Sequence, residues 1–157
     1  MLGVGQVAPD FSIRTSDGAV RNLSSYRGHP VIVYFFPKAN TTGCTLETRG
    51  FSERYPRLQQ AGIEVIGVSI DTAETQSAFA DKCGSRFPMV GDPSKKIARD
   101  YGVLGLLGIA KRVTFLVDAE GIIREVVEGM LPNPHLRAAD SWASRSPPPP
   151  APGAGGH

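Results

Sequence analysis

One stretch of the sequence constrains the fold more than any other, because it sets two buried strands on either side of a helix within 40 residues. The run Val31–Phe36 (VIVYFF) is continuously β-branched and aromatic, which is typical of a strand covered on both faces. Thr45–Gln60 carries apolar residues at helical spacing, and Ile63–Ile70 (IEVIGVSI) has the composition of a second buried strand. Because parallel strands need a long crossover connection, this order predicts a βαβ unit with two parallel strands.

The remaining elements extend this unit into a predicted mixed sheet. Apolar runs on either side of turn residues predict two hairpins, and capping and terminating residues predict three more helices. The hairpins are Phe11–Arg14 with Ala19–Leu23 and Val113–Val117 with Ile122–Val127; the helices run from an Asp71 cap to Cys83, from an Asp92 cap to a stop at Gly102, and from Pro134 to Ala143. This order predicts an α/β thioredoxin fold, with a mixed central sheet, an N-terminal β-hairpin and helices on both faces.

Length and charge exclude several classes of protein. A chain of 157 residues predicts one domain, which we expect over residues 1–145. The formal net charge of +2 gives no basis for a nucleic-acid partner or an anionic membrane. The longest apolar run has six residues, far short of the roughly 18–20 that a membrane span requires. The first residues lack a charged segment followed by an apolar one, so we expect a cytoplasmic protein without a secretory signal.

The last twelve residues differ in composition from the rest of the chain. Ser146–His157 reads SPPPPAPGAGGH, with five prolines and three glycines. This segment has too little apolar surface to join a core, so we predict a disordered tail with some polyproline II character over residues 146–157. A PxxP ligand for a partner domain is the alternative interpretation.

Two cysteines carry the chemical signal. Cys44 and Cys83 are too few for a disulfide framework or a cysteine zinc cluster. In a reducing cytoplasm they are either packing residues or reactive thiols. None of the three histidines has a second ligand-type residue at helical spacing, so we expect no metal site.

Cys44 stands in a local context that favours a reactive thiol. The predicted strand ends at Pro37, a polar turn follows, and Cys44 falls in the first turn of the next helix. There the unpaired backbone N–H groups and the positive end of the helix dipole stabilise a thiolate. The alternative is that Cys44 is a small buried apolar residue, which is the commoner role of a lone cysteine.

The residues around Cys44 also match a known family. Pro37, Thr41 and Cys44 complete the pattern Pro-x-x-x-Thr-x-x-Cys. The surrounding YFFPKANTTGCTLE resembles the Q-type peroxiredoxins, also called bacterioferritin comigratory proteins. The resemblance extends from about Val4 to Met130 and includes, in the family's order, APDF, DG…LSSYRG, GVS-D, FP-V-D and R-TFLVD-EG.

The resemblance implies a role for each of five residues. Cys44 would be the peroxidatic cysteine, which attacks a peroxide oxygen and becomes a sulfenic acid. Thr41 would offer its hydroxyl to the thiolate and to the bound peroxide, and Pro37 would shield the thiolate from water. Arg112 would favour the thiolate and hold the departing oxygen, and Glu47 could hold Arg112 in position. Such a set of groups stabilises the charge that moves to the leaving oxygen.

The chain departs from the family pattern at the resolving cysteine. Many Q-type members carry a second cysteine five residues after the first, where this chain has Arg49. Others place it on the following helix, near Ala80 here, and Cys83 lies three residues later. The resemblance therefore implies a disulfide between Cys44 and Cys83, formed after local unwinding of both helix ends. The alternative is that Cys83 packs on the apolar helix face and an external thiol resolves Cys44.

The activity implied by the resemblance is that of a monomeric thiol-dependent peroxidase. Its substrates would be hydrogen peroxide and alkyl hydroperoxides, its reductant would be thioredoxin or a similar dithiol, and no metal or organic cofactor would be required. A thioredoxin-type disulfide reductase is disfavoured because Glu47 occupies the second position of a CxxC motif. An interaction module with an inert fold is the remaining alternative. The apolar segment Val103–Ala110 either forms a binding surface or folds back on the core.

Overall fold

The computed structural model describes residues 1–14 and 18–145, which form a five-stranded sheet, a separate two-stranded hairpin and four α-helices. A short 3-10 helix, Leu23–Tyr26, follows the hairpin. The strands are β1 Ser12–Arg14, β2 Val20–Asn22, β3 Val31–Phe35, β4 Glu64–Ser69, β5 Met89–Gly91, β6 Val113–Val117 and β7 Ile123–Glu128; the helices are α1 Thr42–Gln60, α2 Ala73–Cys83, α3 Lys96–Tyr101 and α4 Pro132–Arg145.

β3 lies at the centre of the larger sheet, whose strand order is β5-β4-β3-β6-β7. It pairs parallel with β4, with Phe35 opposite Val68, and this confirms the predicted βαβ unit. On its other side it pairs antiparallel with β6, with Phe35 opposite Val113. The sheet is therefore mixed, as the order of elements predicted.

Both predicted hairpins form antiparallel pairs. β1 pairs with β2, and β6 pairs with β7. Two residues of the first predicted turn, Ser16 and Asp17, lie outside the described residues, as does the predicted tail at 146–157.

The side chains of β3 alternate between two cores. Val31, Val33 and Phe35 face the core that the hairpin and α3 complete. Ile32 and Tyr34 face the core built with α1, α2 and α4. Every residue of β3 is buried, so helices on both faces cover the sheet as predicted. None of the helices in the described ranges combines the length and apolar character that a membrane crossing requires.

The helix boundaries differ from the prediction by a few residues. α1 already begins at Thr42, and α4 extends beyond both of its predicted ends, over Pro132–Arg145. α2 and α3 stop before Gly84 and Gly102, whose φ angles of 68° and 67° favour glycine, as predicted. The short strand Met89–Gly91 was not predicted, because three residues give too little periodicity to recognise.

Two predicted helix caps are wrong. Asp71 does not cap α2; the hydroxyl of Thr72 does so by accepting a backbone N–H at 3.2 Å. α3 begins three residues after the expected start, and Lys95 occupies its N-cap position. Asp92 still supports this helix from outside, because its Oδ2 accepts the backbone N–H of Ala98 at 3.1 Å.

The apolar segment after α3, Val103–Ala110, is buried at its ends and exposed at its tip. Its ends, Val103 and Ala110, are buried and fold back on the core. Leu106 and Leu107 at its tip are exposed. Ile109 is exposed as well, so the buried ends account for only part of the apolar character of the segment.

Candidate active site

The pairing of β3 with β6 brings together two parts of the site that are distant in sequence. Phe35 at the end of β3 lies opposite Val113, the first residue of β6. Arg112 therefore lies beside the turn that leaves β3 and leads into α1. Cys44 is the third residue of α1. Cys44 and Arg112, which are 68 residues apart in the sequence, therefore meet at one edge of the sheet.

Arg112 is buried and makes three contacts through its guanidinium group. Nη1 donates to Oε1 of Glu47 at 2.6 Å, and Nε donates to the carbonyl of Met130 at 2.8 Å. Nη2 lies 3.5 Å from Sγ of Cys44. Because the planar group is held at two nitrogens, its third nitrogen stays directed at the sulfur.

Cys44 is completely buried in the first turn of α1. The backbone N–H groups of that turn lack intrahelical acceptors, so they and the guanidinium place positive charge around the sulfur. Gly43 leaves the space for this approach, because a Cβ at that position would lie 2.9 Å from Nη2 of Arg112.

Burial and charge act in opposite directions on the buried ion pair. Burial raises the pKa of Glu47 from 4.5 to about 7, and the Arg112 guanidinium lowers it only in part. Burial by itself would lower the pKa of Arg112, but the charges of Glu47 and Cys44 outweigh it and raise that pKa above its ordinary value. Arg112 therefore stays cationic, whereas Glu47 exchanges a proton near neutral pH.

Thr41 and Pro37 lie in the turn before α1. Thr41 is exposed and precedes the helix without a side-chain cap. Its hydroxyl donates to the carbonyl of Lys38 at 2.8 Å, which leaves the lone pairs of Oγ1 for an incoming donor. Pro37 is half-buried and directly follows the completely buried Phe36.

Asp71 anchors this turn, a role that sequence reasoning missed. Its Oδ2 accepts the backbone N–H of Ala39 at 2.8 Å and the hydroxyl of Ser69 at 2.6 Å. The amide of Gln76 donates to the same hydroxyl oxygen at 3.1 Å. The available signal was position, because Asp71 follows the buried strand β4 at the edge of the sheet where ligands bind in open α/β folds.

His135 is a second residue near the site that sequence reasoning missed. It is completely buried on α4, and its Nδ1 lies 3.9 Å from Oε2 of Glu47. That carboxylate oxygen has no hydrogen-bond partner within the described ranges. A lone histidine in a helix gives no signal of this kind, because only folding brings it to Glu47.

Cys83 is the last residue of α2 and is buried. Both cysteines are free thiols. Burial raises the pKa of Cys83, and the nearby Arg49 opposes this in part. Cys83 also borders an open groove of about 430 Å³, together with Arg49 and Arg86. It thus combines a place in the core with contact to an accessible groove.

The chemistry available here is that of an activated sulfur. Within residues 1–14 and 18–145, no group of three His, Cys, Asp or Glu side chains is placed to hold a metal ion. A sulfur at a helix N-terminus beside a fixed cation suits nucleophilic attack in which negative charge develops on a leaving atom.

Curated relatives of this chain are peroxiredoxins. The model of the AhpC/TSA family matches residues 4–126. Peroxiredoxin Bcp of Escherichia coli strain K12 is 34% identical over 148 residues, which cover 90% of this chain and 95% of that protein. The chloroplastic peroxiredoxin Q of Populus jackii is 34% identical over 135 residues, which cover 84% of this chain and 63% of that protein.

Solved structures of the same type share the fold. Peroxidoxin BcpB of Mycobacterium tuberculosis has a TM-score of 0.82 at 27% identity, covering 92% of this chain and 97% of that one. Peroxiredoxin Q of Xanthomonas campestris has a TM-score of 0.79 at 28% identity, covering 87% and 92%. These matches confirm the predicted thioredoxin fold. The chain belongs to the AhpC/TSA family and is a peroxiredoxin, an enzyme that reduces peroxides.

Proposed function

We propose that this peroxiredoxin reduces hydrogen peroxide and alkyl hydroperoxides at Cys44, which is oxidised to a sulfenic acid. The observation that carries the proposal is the 3.5 Å contact between Nη2 of Arg112 and Sγ of Cys44 in the first turn of α1. The guanidinium and the helix N-terminus stabilise a thiolate, which is the form of cysteine that attacks peroxides. A similar Xanthomonas campestris bacterioferritin comigratory protein is described by its alkyl peroxide reduction activity, which supports the second substrate class.

The proposed reaction is a nucleophilic displacement on oxygen. The Cys44 thiolate attacks the terminal oxygen of ROOH, an S–O bond forms as the O–O bond breaks, and uptake of one proton gives Cys44–SOH and ROH. The sulfur loses two electrons and the peroxide gains them. Arg112 stabilises the negative charge that passes to the leaving oxygen, and Glu47 is a positioning residue that holds Arg112.

Thr41 and Pro37 have supporting roles in the proposal. Because the Thr41 hydroxyl already donates to Lys38, its oxygen accepts the O–H of an incoming hydroperoxide and orients it. Pro37 brings an apolar ring without an N–H group to the turn, which limits water around the thiolate. Cys44 is completely buried, so a peroxide reaches Sγ only after side chains of this exposed turn move.

The proposal is tested by replacing Cys44. We expect peroxide consumption coupled to thioredoxin to fall to background in Cys44→Ser. Arg112→Lys keeps the charge but loses the planar contacts to Glu47 and Met130, and it should slow oxidation of Cys44 by about 10–100-fold. Undiminished peroxide consumption by Cys44→Ser would contradict the proposal.

We further propose that Cys44–SOH condenses with the thiol of Cys83, forming an intramolecular disulfide and releasing water. Cys44 lies in the first turn of α1 and Cys83 ends α2 before Gly84, and helix ends open at little cost in free energy. The burial of Cys83 in the apolar core supports the alternative, in which it only packs and an external thiol resolves Cys44.

Intact mass under non-reducing conditions distinguishes these two routes. After one equivalent of peroxide, the disulfide route gives a loss of two hydrogens, whereas Cys83→Ser retains one added oxygen and turns over slowly with thioredoxin. Arg49→Cys in the Cys83→Ser background is the matched control, since it returns a cysteine to the position that many Q-type members use. Oxygen addition alone in the wild type, with full turnover in Cys83→Ser, would reject the resolving role.

The reductant and the setting complete the proposal. Thioredoxin or a similar dithiol reduces the disulfide by thiolate exchange, and the open groove beside Cys83 gives such a partner access. We place the enzyme in a cytoplasm, whose reducing conditions keep cysteines as thiols. We also infer a monomer, because the chain's own hairpin and helices cover both faces of the sheet. Sedimentation equilibrium should give the chain mass of 16.7 kDa.

A further inference from the structure

His135 is a buried titratable residue that the reaction above does not use. Its Nε2 lies 2.8 Å from the carbonyl of Gly129, and a carbonyl only accepts, so Nε2 carries the proton. Nδ1 therefore has a lone pair, which accepts the hydroxyl of Thr114 at 2.7 Å. Two hydrogen bonds fix the orientation of the ring, and burial lowers the pKa of His135, which keeps the ring neutral.

Of the two groups that orient Arg112, one follows the Gly129 carbonyl that the ring holds, and the other lies 3.9 Å from the ring. Gly129 precedes Met130, whose carbonyl accepts the Nε of Arg112 at 2.8 Å. The N–H of Gly129 also donates to the carbonyl of Arg112 at 3.3 Å. On its other side, the ring places Nδ1 3.9 Å from Oε2 of Glu47, whose second oxygen holds Nη1 of Arg112.

We propose that His135 is a positioning residue for the reaction at Cys44, because its hydrogen bond to the Gly129 carbonyl holds the segment whose next carbonyl, that of Met130, directs the Arg112 guanidinium toward Sγ of Cys44. This inference rests on the proposed role of Cys44. It gives the ring a function that acts through Arg112 rather than on the peroxide itself.

The neutral ring also does not compete with Arg112 for the carboxylate of Glu47. A buried carboxylate oxygen without a donor turns toward any donor within reach. Neutral His135 offers none, because its Nδ1 faces Oε2 with a lone pair that the Thr114 hydroxyl already occupies. Glu47 therefore keeps its strong contact with Arg112 through Oε1.

The test compares three substitutions in α4. His135→Phe keeps the ring volume without hydrogen bonds, and it should slow oxidation of Cys44 by hydrogen peroxide in single turnover by about 10–100-fold. His135→Gln restores a donor for the Gly129 carbonyl and should recover part of the rate. Leu136→Ala is the matched control: it removes a buried side chain that packs against Gly50, so it should lower the melting temperature and leave the rate unchanged.

A readout that is independent of activity separates this inference from the proposed function. The Nε–H of Arg112 should give a slowly exchanging NMR signal in the wild type, and exchange should become fast in His135→Phe. If His135→Phe does not fold, Thr114→Val removes the hydroxyl that fixes the ring, with Thr114→Ser as its rescue. A wild-type rate and a wild-type Arg112 signal in the folded variants would overturn the inference. An inactive wild type with the expected Arg112 signals would instead refute the peroxidase proposal.

Discussion

At the scale of single residues, the site depends on how closely one guanidinium approaches one sulfur. The five candidate residues from the sequence include both partners of this contact, Cys44 and Arg112. The structure shows what makes this contact possible. The Glu47 carboxylate and the Met130 carbonyl hold Arg112, and Gly43 leaves room beside its guanidinium. Gly43, which has no side chain, therefore contributes to the approach of the guanidinium to the sulfur.

Gly43→Ala should slow oxidation of Cys44 by about 10–100-fold. The new Cβ would lie 2.9 Å from Nη2 of Arg112, and the contacts to Glu47 and Met130 prevent the guanidinium from moving aside without loss. Alanine is the better helix former by about 1 kcal/mol, so lower stability would not account for a slower reaction. Single-turnover oxidation with rapid quench measures the rate, and the exposed neighbour Thr42→Ala serves as the control. Equal rates in Gly43→Ala and the wild type would contradict the steric argument.

At the scale of elements, two adjacent polar residues after β4 make hydrogen bonds to different parts of the fold. Thr72 caps α2, and Asp71 instead reaches across to the turn that precedes α1. A capping pattern in the sequence cannot distinguish the two, because both are good N-cap residues. The choice depends on the parallel pairing of β3 and β4, which puts the end of β4 next to that turn.

The two residues should therefore respond differently to truncation. Asp71→Ala leaves the partly buried N–H of Ala39 without its acceptor, so it should cost about 1–3 kcal/mol of stability and slow peroxide reduction. Thr72→Ala should cost about 1 kcal/mol through the lost cap and leave the peroxide rate unchanged. Urea denaturation gives the stabilities, and a peroxide consumption assay gives the rates. A rate loss in Thr72→Ala as large as in Asp71→Ala would show that the turn does not depend on this anchor.

At the scale of the whole molecule, folding moves Glu47 from water into a place where none of its surface is exposed. Burial outweighs the attraction of Arg112, so the folded protein has the higher proton affinity at this carboxyl. Burying Glu47 therefore lowers the free energy of unfolding by an amount that depends on pH, and denaturation experiments can measure it.

Stability should fall as pH rises from 4.5 to about 7 because of Glu47. In this window the folded state retains the proton and the unfolded state releases it, so the unfolded state binds fewer protons and rising pH favours it. The pKa change from 4.5 to about 7 corresponds to about 3 kcal/mol. We expect the difference in unfolding free energy between the wild type and Glu47→Gln to decrease by up to that amount, measured by urea denaturation at each pH. A difference that stays constant or grows with pH would contradict the raised pKa.

The sequence by itself determined the βαβ unit, both hairpins and the motif of candidate residues that ends at Cys44. These features are local, since the run VIVYFF, the turn residues and the spacing of Pro37, Thr41 and Cys44 are set by neighbours in the chain. The resemblance to the family added Arg112 and Glu47, which the structure brings to Cys44 as an ion pair and a contact at 3.5 Å.

Only the tertiary structure decided the roles of Asp71, Gly43 and His135. Each of them contacts an atom outside its own element: a backbone N–H before α1, the guanidinium at the start of β6, and the Gly129 carbonyl after β7. Hydrogen-bond partners and steric room at these points arise from strand pairing and helix packing. Those long-range contacts have no local pattern in the chain, so propensity and spacing could not indicate them.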